Sequence, residues 1–592
     1  MAAAPPPEPL LDTLRAHLHA VRHEPSTPFD ETLLDTAGYV LPPVLSRPQL
    51  QALVLQIYHS LPTLHQNPDP AVRLLTKLLD PIPLPAILDL EPPIDLVQGL
   101  DVAAAPFNLL TLSLLDKADL ASARRLASVY QPLFVALVTL WLSTETEGVA
   151  DKASKVLLKL LEMDMPGPDT VAWDGLVWKR IFRDKDVYKQ IFAITSLDLG
   201  KSSLSKNRTT IAQARLMDWL PVVGAMDWAA ISQSYHPEIE DSYGLPSGKQ
   251  SLLDWTATFM VDYRGDLLMH RNLVRFYSHL LTTVSATVSR ASALMFLKSQ
   301  GHHERTAMYY IQPDHPSHDP ADRSFLYGPA ALYVASWATL YPEDFTSTIE
   351  AAEQIVGKIA SALQISPARW AHGYSPAEDL HVLASLPGSY LTSLGSRSPH
   401  LAIPSKAANS DALNTLTTLF HGPISLTTIT LPPTSVSSAH RESELEAAGE
   451  LYTSYYSLNT DLWKDVTSHA DTVALKEQAL AAINLIKAFV TAPWGGTSAL
   501  INSSARSTVV PWLLAPPRTY SNLVGGHGDA ESAAYVVAMA RFDVLRAFFA
   551  KVKNLEGDDC RLIETAARER LTEGAFGSRR TEIGGRITTM DL

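Results

Sequence analysis

Apolar residues along this chain recur three and four positions apart, which is the spacing of one face of an α-helix. In the stretch "DPAVRLLTKLLDP", for example, Val72, Leu75 and Leu79 fall on a single stripe. The segments 149–164 and 472–494 repeat this pattern with different residues. The strict alternation of apolar and polar residues that marks a half-buried strand is scarce. The pattern therefore predicts an all-α protein.

The helical segments also resemble one another. Each begins near an aspartate and continues with small and branched apolar residues, and Asp69, Asp101, Asp151 and Asp184 mark four such openings. The steps between them are 32, 50 and 33 residues, so the period is irregular. Helix pairs that bury their apolar faces against neighbouring pairs form solenoids. We therefore predict a HEAT/armadillo-like α-solenoid in which Asp69 and its counterparts open the helices.

Composition divides the chain into four parts. Residues 1–363 and 441–570 carry the helical pattern and are predicted to be N-terminal and C-terminal repeats. Residues 364–440 are rich in Ser, Thr, Pro and Gly, and we expect a loop-rich irregular segment there. Residues 571–592 are expected to form an extended or disordered tail.

The stretch "VWKRIFRDKDVYKQIFAITS" mixes cations with bulky apolar residues. At 100° per residue its apolar side chains form one arc on each of two helices, which are joined by a charged turn. Lys189 falls on the outer side of the second helix. The residues predicted to face inward are Trp173, Val177, Trp178, Ile181, Phe182, Val187, Ile191 and Ile194.

The cations of the same stretch are the candidate binding residues, and we call them the basic ridge. They are Lys179, Arg180, Arg183 and Lys185. Two interpretations stay open. The ridge is either the solvated outer face that any amphipathic helix needs or a surface that contacts a partner.

Charge and cysteine content narrow the class of protein. The 592 residues carry a formal charge of −14, so a surface that binds nucleic acid through its phosphates is not expected. Cys560 is the single cysteine and can form neither an internal disulfide nor a multi-cysteine zinc site, which is typical of a reducing cytosol or nucleus. The start lacks a signal-peptide pattern, and the apolar run 132–142 is shorter than the ~20 residues of a membrane span. We expect an intracellular protein without a membrane partner.

Two segments hold residue types that could support chemistry. The first has metal-capable side chains but lacks the His-x-x-x-His spacing that places two ligands on one helical face. These side chains are His302, His303, Glu304, His315, His318 and Asp319. The second, "GLPSGKQS", has too few residues between its glycines for a phosphate-binding loop, and Gln250 stands where Ser or Thr would bind magnesium. We therefore predict no metal, no cofactor and no catalytic residues, hence no enzyme.

Three stretches together resemble one known family. They are "DVAAAPFNLLTLSLLDKAD", "VWKRIFRDKDVYKQIFAIT" and "AAINLIKAFVTAPWGGTSALINSS". In this order they are similar to the HEAT-repeat chaperones that assemble the base of the proteasome 19S regulatory particle, the S5b subunit family. Fungal members of that family also carry a DNA mismatch-repair label.

Two short motifs make the resemblance more specific. A Leu-Lys-x-Phe helix ending in a Pro-Trp turn is matched by Ile486, Lys487, Phe489, Pro493 and Trp494. A Leu-[Ser/Thr]-Glu-Gly element is matched by Leu571, Thr572, Glu573 and Gly574. The resemblance extends from about Leu50 to Phe576 and is weakest over 364–440.

The resemblance implies a C-shaped, non-catalytic solenoid that chaperones assembly of the 26S proteasome. Such a chaperone holds the C-terminal domain of one AAA ATPase subunit of the base and blocks premature docking to the core particle. A large non-ATPase base subunit is a further partner that it suggests. Two alternatives remain, an armadillo-type adaptor in nuclear transport or DNA mismatch repair, and a metal-dependent hydrolase that uses the histidine segment.

Overall fold

The structure is a computed structural model in which every regular element of the described residues is helical. It describes residues 7–24, 27–61, 66–166, 174–198, 200, 204–284, 290–316, 318–372, 374–406, 409–422, 438–517 and 533–576. Contacts divide the chain into two compact units, Met1–Ser292 and Ala293–Leu592. The division falls inside the predicted N-terminal repeats 1–363.

Unit 1 contains sixteen helices in its described part, two of which, α10 and α15, continue as the π-helical turns Lys179–Arg183 and Trp255–Phe259. The helices are α1 (Pro7–His23), α2 (Glu31–Val40), α3 (Arg47–Ser60), α4 (Asp69–Leu79), α5 (Leu84–Leu88), α6 (Ala105–Leu115), α7 (Leu120–Val129), α8 (Gln131–Ser143), α9 (Glu147–Met163), α10 (Leu176–Trp178), α11 (Lys185–Thr195), α12 (Lys206–Met226), α13 (Trp228–Ser232), α14 (Pro237–Ser242), α15 (Leu252–Asp254) and α16 (Leu267–Val284).

Unit 2 continues the all-helical pattern, and its first helix begins just before the division. The helices are α17 (Arg290–Ser299), α18 (His302–Ile311), α19 (Pro320–Leu340), α20 (Pro342–Ser347), α21 (Ile349–Ala362), α22 (Pro367–Ala371), α23 (Ala377–Ser385), α24 (Gly388–Ser393), α25 (Ser410–His421), α26 (Ser438–Leu458), α27 (Leu462–Ala470), α28 (Lys476–Thr491), α29 (Gly496–Ile501), α30 (Arg506–Leu514), α31 (Ala533–Val552) and α32 (Asp558–Thr572).

Within each unit, helices that are close in sequence pack side by side in a row. In unit 1, α2 packs on α4, α4 on α6 and α6 on α9, and later α12 packs on α16. In unit 2 the row runs through α19, α23, α25, α28 and α31. Each helix contacts mainly its neighbours, as in repeat proteins. The predicted fold class, an all-α HEAT/armadillo-like solenoid, is confirmed.

Several ion pairs between neighbouring helices of unit 1 join residues that are 36 to 43 positions apart in sequence. A guanidinium nitrogen of Arg73 lies 2.6 Å from a carboxylate oxygen of Glu31, 42 residues earlier. Arg125 reaches Asp89 in the same way at 2.8 Å across 36 residues. These separations measure the repeat, and they are longer than the 32- and 33-residue steps seen in the sequence.

Three of the four aspartates that were predicted to open helices lie at or shortly before the start of a helix. Asp69 is the first residue of α4, Asp101 accepts a hydrogen bond from Ala103 N shortly before α6, and Asp184 is the N-cap of α11. Asp151 is different, because it lies inside α9 and pairs with Lys155 one turn later at 2.7 Å. An aspartate four residues before a lysine is equally suited to such a pair, so the sequence pattern does not separate the two roles.

The residues 364–440 differ from the predicted irregular segment. They contain four complete helices, and two of these, α23 and α25, belong to the row of unit 2. In α25 the hydroxyl of Thr417 donates to Leu413 O at 2.7 Å, so the polar side chain is satisfied within its own helix. Leu413, Leu416 and Phe420 meanwhile lie in the core. Residues 423–437 lie outside the described residues.

The predicted tail 571–592 is described only at its start. α32 ends at Thr572, and Phe576 is buried with its ring centroid 5.6 Å from that of Tyr535. Residues 577–592 lie outside the described part.

No single helix of the described residues is long and apolar enough to cross a membrane. Only α7 and α8 taken together reach that length and apolarity, and they are bent by 100°.

Candidate functional site

The basic ridge lies where the π-helical turn Lys179–Arg183 meets α11. Asp184 joins the two elements as the N-cap of α11, and its Oδ1 accepts hydrogen bonds from Asp186 N at 3.0 Å and Val187 N at 3.4 Å. The cap therefore places a carboxylate in the middle of the ridge. The predicted arrangement of helix, charged turn and helix is confirmed.

The apolar base under the ridge also follows the prediction. Trp173 lies outside the described residues; the other seven side chains predicted to face inward are at most 4% exposed, and Lys189 is exposed. Beneath them, the hydroxyl of Tyr188 donates to Glu240 Oε1 at 2.9 Å. Burial raises the pKa of Tyr188 well above its usual range, so the phenol stays protonated and keeps this bond. The ridge therefore lies on a layer of tightly packed, buried side chains, which we call the platform.

Arg180 belongs to this platform and is not a free surface cation. Its Nε donates to Ala127 O at 2.7 Å, and its guanidinium pairs with Asp184. Asp184 in turn accepts a hydrogen bond from Gln131 Nε2 at 3.2 Å. The side chains of Arg180 and Asp184 are only 20% and 12% exposed. Arg180 therefore links α7, α8 and α11.

The two lysines of the ridge are exposed but paired. Lys179 Nζ lies 2.7 Å from Asp174 Oδ1, and Lys185 Nζ lies 3.2 Å from Glu238 Oε1. Their side chains are 49% and 60% exposed. Exposed pairs of this kind contribute little to stability, and a competing carboxylate could replace either acid.

Arg183 is held by an aromatic ring. Its guanidinium carbon lies 5.2 Å from the ring centroid of Tyr235, a cation–π contact. The neighbouring His236 places its Nε2 3.0 Å from Arg183 O. Every cation of the ridge therefore has a partner within unit 1, and three of these partners are 50 or more residues away in sequence.

A second group of basic side chains, which the sequence analysis did not single out, lies on α16. Arg271, Arg275 and His279 follow one another at intervals of four residues and are exposed on one side of the helix. In the described part of the chain, none of the three side chains makes an ion pair. We call them the cationic face. The spacing in "RNLVRFYSH" is visible in the sequence, but its lack of acidic partners is a property of the fold.

The metal-capable side chains of the histidine segment have separate structural roles. His303 Nδ1 lies 2.8 Å from the hydroxyl of Tyr333, and burial lowers the pKa of His303 to about 4. His318 stacks on Tyr309, with ring centroids 4.4 Å apart. Asp319 is the N-cap of α19. Among the described residues, no three His, Cys, Asp or Glu side chains come close enough to hold a metal ion.

The stretch "GLPSGKQS" is a loop between α14 and α15. It follows a helix, whereas a phosphate-binding loop follows a strand, and Gln250 pairs with Asp241. The helix after it has three residues before the π-helical turn begins. The stretch therefore connects two helices of unit 1.

The Leu-Lys-x-Phe and Pro-Trp motif joins helices of unit 2. Ile486 and Phe489 are completely buried on α28. The indole of Trp494 donates to Phe420 O at 2.8 Å, and its ring lies so close to Gly449 that a Cβ there would be 3.1 Å away. The motif therefore fixes α25 and α26 against the end of α28.

The Leu-Thr-Glu-Gly motif ends α32. Gly574 has a φ of +79°, a left-handed conformation that favours glycine. The guanidinium of Arg570 donates to Gly574 O and, at 3.2 Å, to Ala575 O. Both motifs that carry the family resemblance thus have a structural role in this chain.

Comparisons with known proteins give only loose likenesses. No protein-family model and no curated protein sequence matches the chain. Among solved structures, a crystal structure of importin beta aligns with a TM-score of 0.41 at 13% identity, covering 96% of this chain and 66% of that one. A crystal structure of SYS-1 aligns with a TM-score of 0.27 at 11% identity, covering 95% of this chain and 94% of that one. Superpositions this loose carry no functional argument.

Proposed function

We propose that this chain is a non-catalytic scaffold that chaperones assembly of the proteasome 19S base. In this proposal it binds the C-terminal domain of one AAA ATPase subunit and blocks its premature docking to the core particle. The observation that supports a scaffold is the row of helices in each unit, because a row leaves one face of each helix available along its length. The ordered resemblance to the S5b family supports this particular partner.

Electrostatics favour a basic partner surface. The formal charge of −14 repels nucleic acid and attracts a protein surface that carries Lys and Arg. We propose that the solenoid contacts the ATPase and that its bulk excludes the core particle, so that no chemistry is needed. A large non-ATPase base subunit is a second proposed partner, and the cytosol and the nucleus are the proposed locations.

The basic ridge is a proposed contact for carboxylates of this partner through Lys179, Arg183 and Lys185, whereas the partner's Lys and Arg would face acidic surface elsewhere on the chain. Each of these side chains is exposed and held by an interaction that an incoming carboxylate could replace. Arg180 is left out of this contact because it links three helices. Reversing the charge of the three exposed residues should weaken capture of the partner without changing the melting temperature. Reversing Arg271 and Arg275 of the cationic face is the matched control.

Affinity purification of the full chain followed by mass spectrometry tests the proposed function in cells. We expect free ATPase subunits and precursors of the base to copurify, and finished 26S particles to be absent. Recovery of transport cargo or mismatch-repair factors without ATPase subunits would instead favour the armadillo-type adaptor.

A further inference from the structure

Unit 1 contains an apolar cavity of about 200 Å³ between α3, α4 and α6. The cavity forms because no long helix packs over this part of α3 and α6. Between α4 and α6 the chain forms only the five-residue α5 and a 3-10 turn at Gln98–Leu100, with the rest as loop. A loop does not present apolar side chains at regular spacing, so the space over α3 and α6 is left unfilled.

The inner wall of the cavity is apolar and fully covered by protein. Val54, Leu75 and Leu114 are each at most 2% exposed. Ile94 and Phe107 line the cavity as well and are half-buried, so they form its rim. The volume is sufficient for a single aromatic ring, since an apolar cavity of about 150 Å³ accepts benzene. The walls therefore suit a ring-sized apolar group.

One edge of the cavity carries a negative charge. Asp95 lines it and is exposed at the surface. The backbone N–H of Asp95 donates to the hydroxyl of Tyr58 at 2.9 Å, and Asp95 Oδ1 accepts from Val97 N and Gln98 N, both at 3.0 Å. Three hydrogen bonds thus fix the residue, while Oδ2 has no partner within the described ranges. A carboxylate oxygen is held in place beside an apolar cavity.

The loop that carries Asp95 is itself anchored to α6. Asn108 Nδ2 donates to Gly99 O and to Asp101 O, both at 2.9 Å. Gly99 lies directly on Thr111, where a Cβ would come within 2.2 Å of the hydroxyl oxygen. Only glycine allows this approach. The rim and the wall of the cavity are therefore held at a fixed distance before any ligand arrives, which reduces the entropic cost of binding.

We propose that this cavity is a binding site for a small arylalkyl amine, with the ring between α3, α4 and α6 and the ammonium group at Asp95. The apolar wall supplies affinity through burial of the ring, and the carboxylate selects the cation over an anion of the same shape. The site is independent of ATPase binding, so failure of either proposal leaves the other intact.

The test uses the full chain and two probes of equal size and opposite charge, phenethylammonium and phenylacetate. Binding is measured by calorimetry and by ligand-observed saturation-transfer NMR at neutral pH and low salt. We expect phenethylammonium to bind at least about tenfold more tightly, which is the preference that one partly exposed carboxylate can supply. Equal affinity for the two probes, or no binding of either, would overturn the proposal.

Two variants locate the site. Asp95→Asn keeps the oxygen that accepts from Val97 and Gln98 but removes the charge, so the preference for phenethylammonium should fall to within about twofold. Glu91→Gln, at an exposed loop residue outside the lining, should leave it unchanged. Ala104→Phe fills the cavity and should weaken both probes at least about tenfold, whereas Ala103→Phe next to it should not. Full binding to folded Ala104→Phe protein would place the ligand elsewhere.

Discussion

The basic ridge and the cationic face of α16 present similar charges in different settings. In the ridge, each cation is held by a carboxylate, a carbonyl or an aromatic ring of unit 1. On the cationic face, Arg271 and Arg275 are exposed at helical spacing, and within the described residues neither has an acidic partner. A run of cations in a sequence therefore does not reveal which of them are available. The availability depends on groups that folding brings from distant parts of the chain.

The largest expected effect concerns the platform under the ridge. Ile191 is completely buried, whereas Leu268, which lies on α16 three residues before Arg271, is 65% exposed. Ile191→Ala should cost about 2 to 5 kcal/mol because it leaves a cavity in the core. Leu268→Ala and Lys189→Ala should each change the free energy of unfolding by less than about 0.5 kcal/mol. Urea denaturation followed by tryptophan fluorescence measures all three, and the opposite ranking would show that the helix phase is wrong.

The second-largest expected effect is a difference in the free energy of unfolding between replacing Arg180 of the ridge and replacing Arg271 of the cationic face. Arg180→Met removes the side-chain donor to Ala127 O and the positive charge beside the mostly buried Asp184, and should cost about 1 to 3 kcal/mol. Within the described residues Arg271 makes no ion pair, so Arg271→Met should cost less than about 0.5 kcal/mol. Denaturation of the two variants side by side measures the difference. Equal costs would mean that Arg180 is as free as Arg271.

The smallest effect is a shift in one pKa. A hydrogen bond from its own backbone and the pair with Lys185 lower the pKa of Glu238 below its ordinary value. Because a carboxyl with a lowered folded pKa loses its stabilising interactions as pH falls through that value, Lys185 should be released only at acidic pH. Lys185→Met should raise the pKa of Glu238 part of the way, as followed by ¹³C NMR of labelled glutamate. An unchanged titration would show that the pair does not form in solution.

Local patterns in the sequence predict much of this structure. The burial of Val177, Ile181 and Ile194 follows from helical spacing alone, because each turn of a helix repeats the same environment. The capping role of Asp184 also follows from its place between two apolar segments. The fold class was predicted for the same reason.

Two kinds of feature could not be predicted from local patterns: a helix of unusual composition, and contacts between residues that are distant in sequence. The Ser- and Thr-rich α25 was assigned to loops, although Thr415 and Thr417 donate to carbonyls four residues earlier and their neighbours are apolar. The pairing of Lys185 with Glu238 spans more than 50 residues and has no local signal. The cavity beside Asp95 forms where the chain between α4 and α6 is mostly loop. A sequence pattern does not show the empty space that such a loop leaves between helices.

The most direct test of the scaffold proposal is a pull-down of purified full-length chain against each isolated C-terminal domain of the base ATPases. We predict that one domain is captured selectively and that a charge-reversed Lys179, Arg183 and Lys185 variant captures less of it at an unchanged melting temperature. Unchanged capture by that variant would assign the ridge to solvent while leaving the chaperone proposal in place. Capture of none of the ATPase domains by the unmodified chain would contradict the proposal.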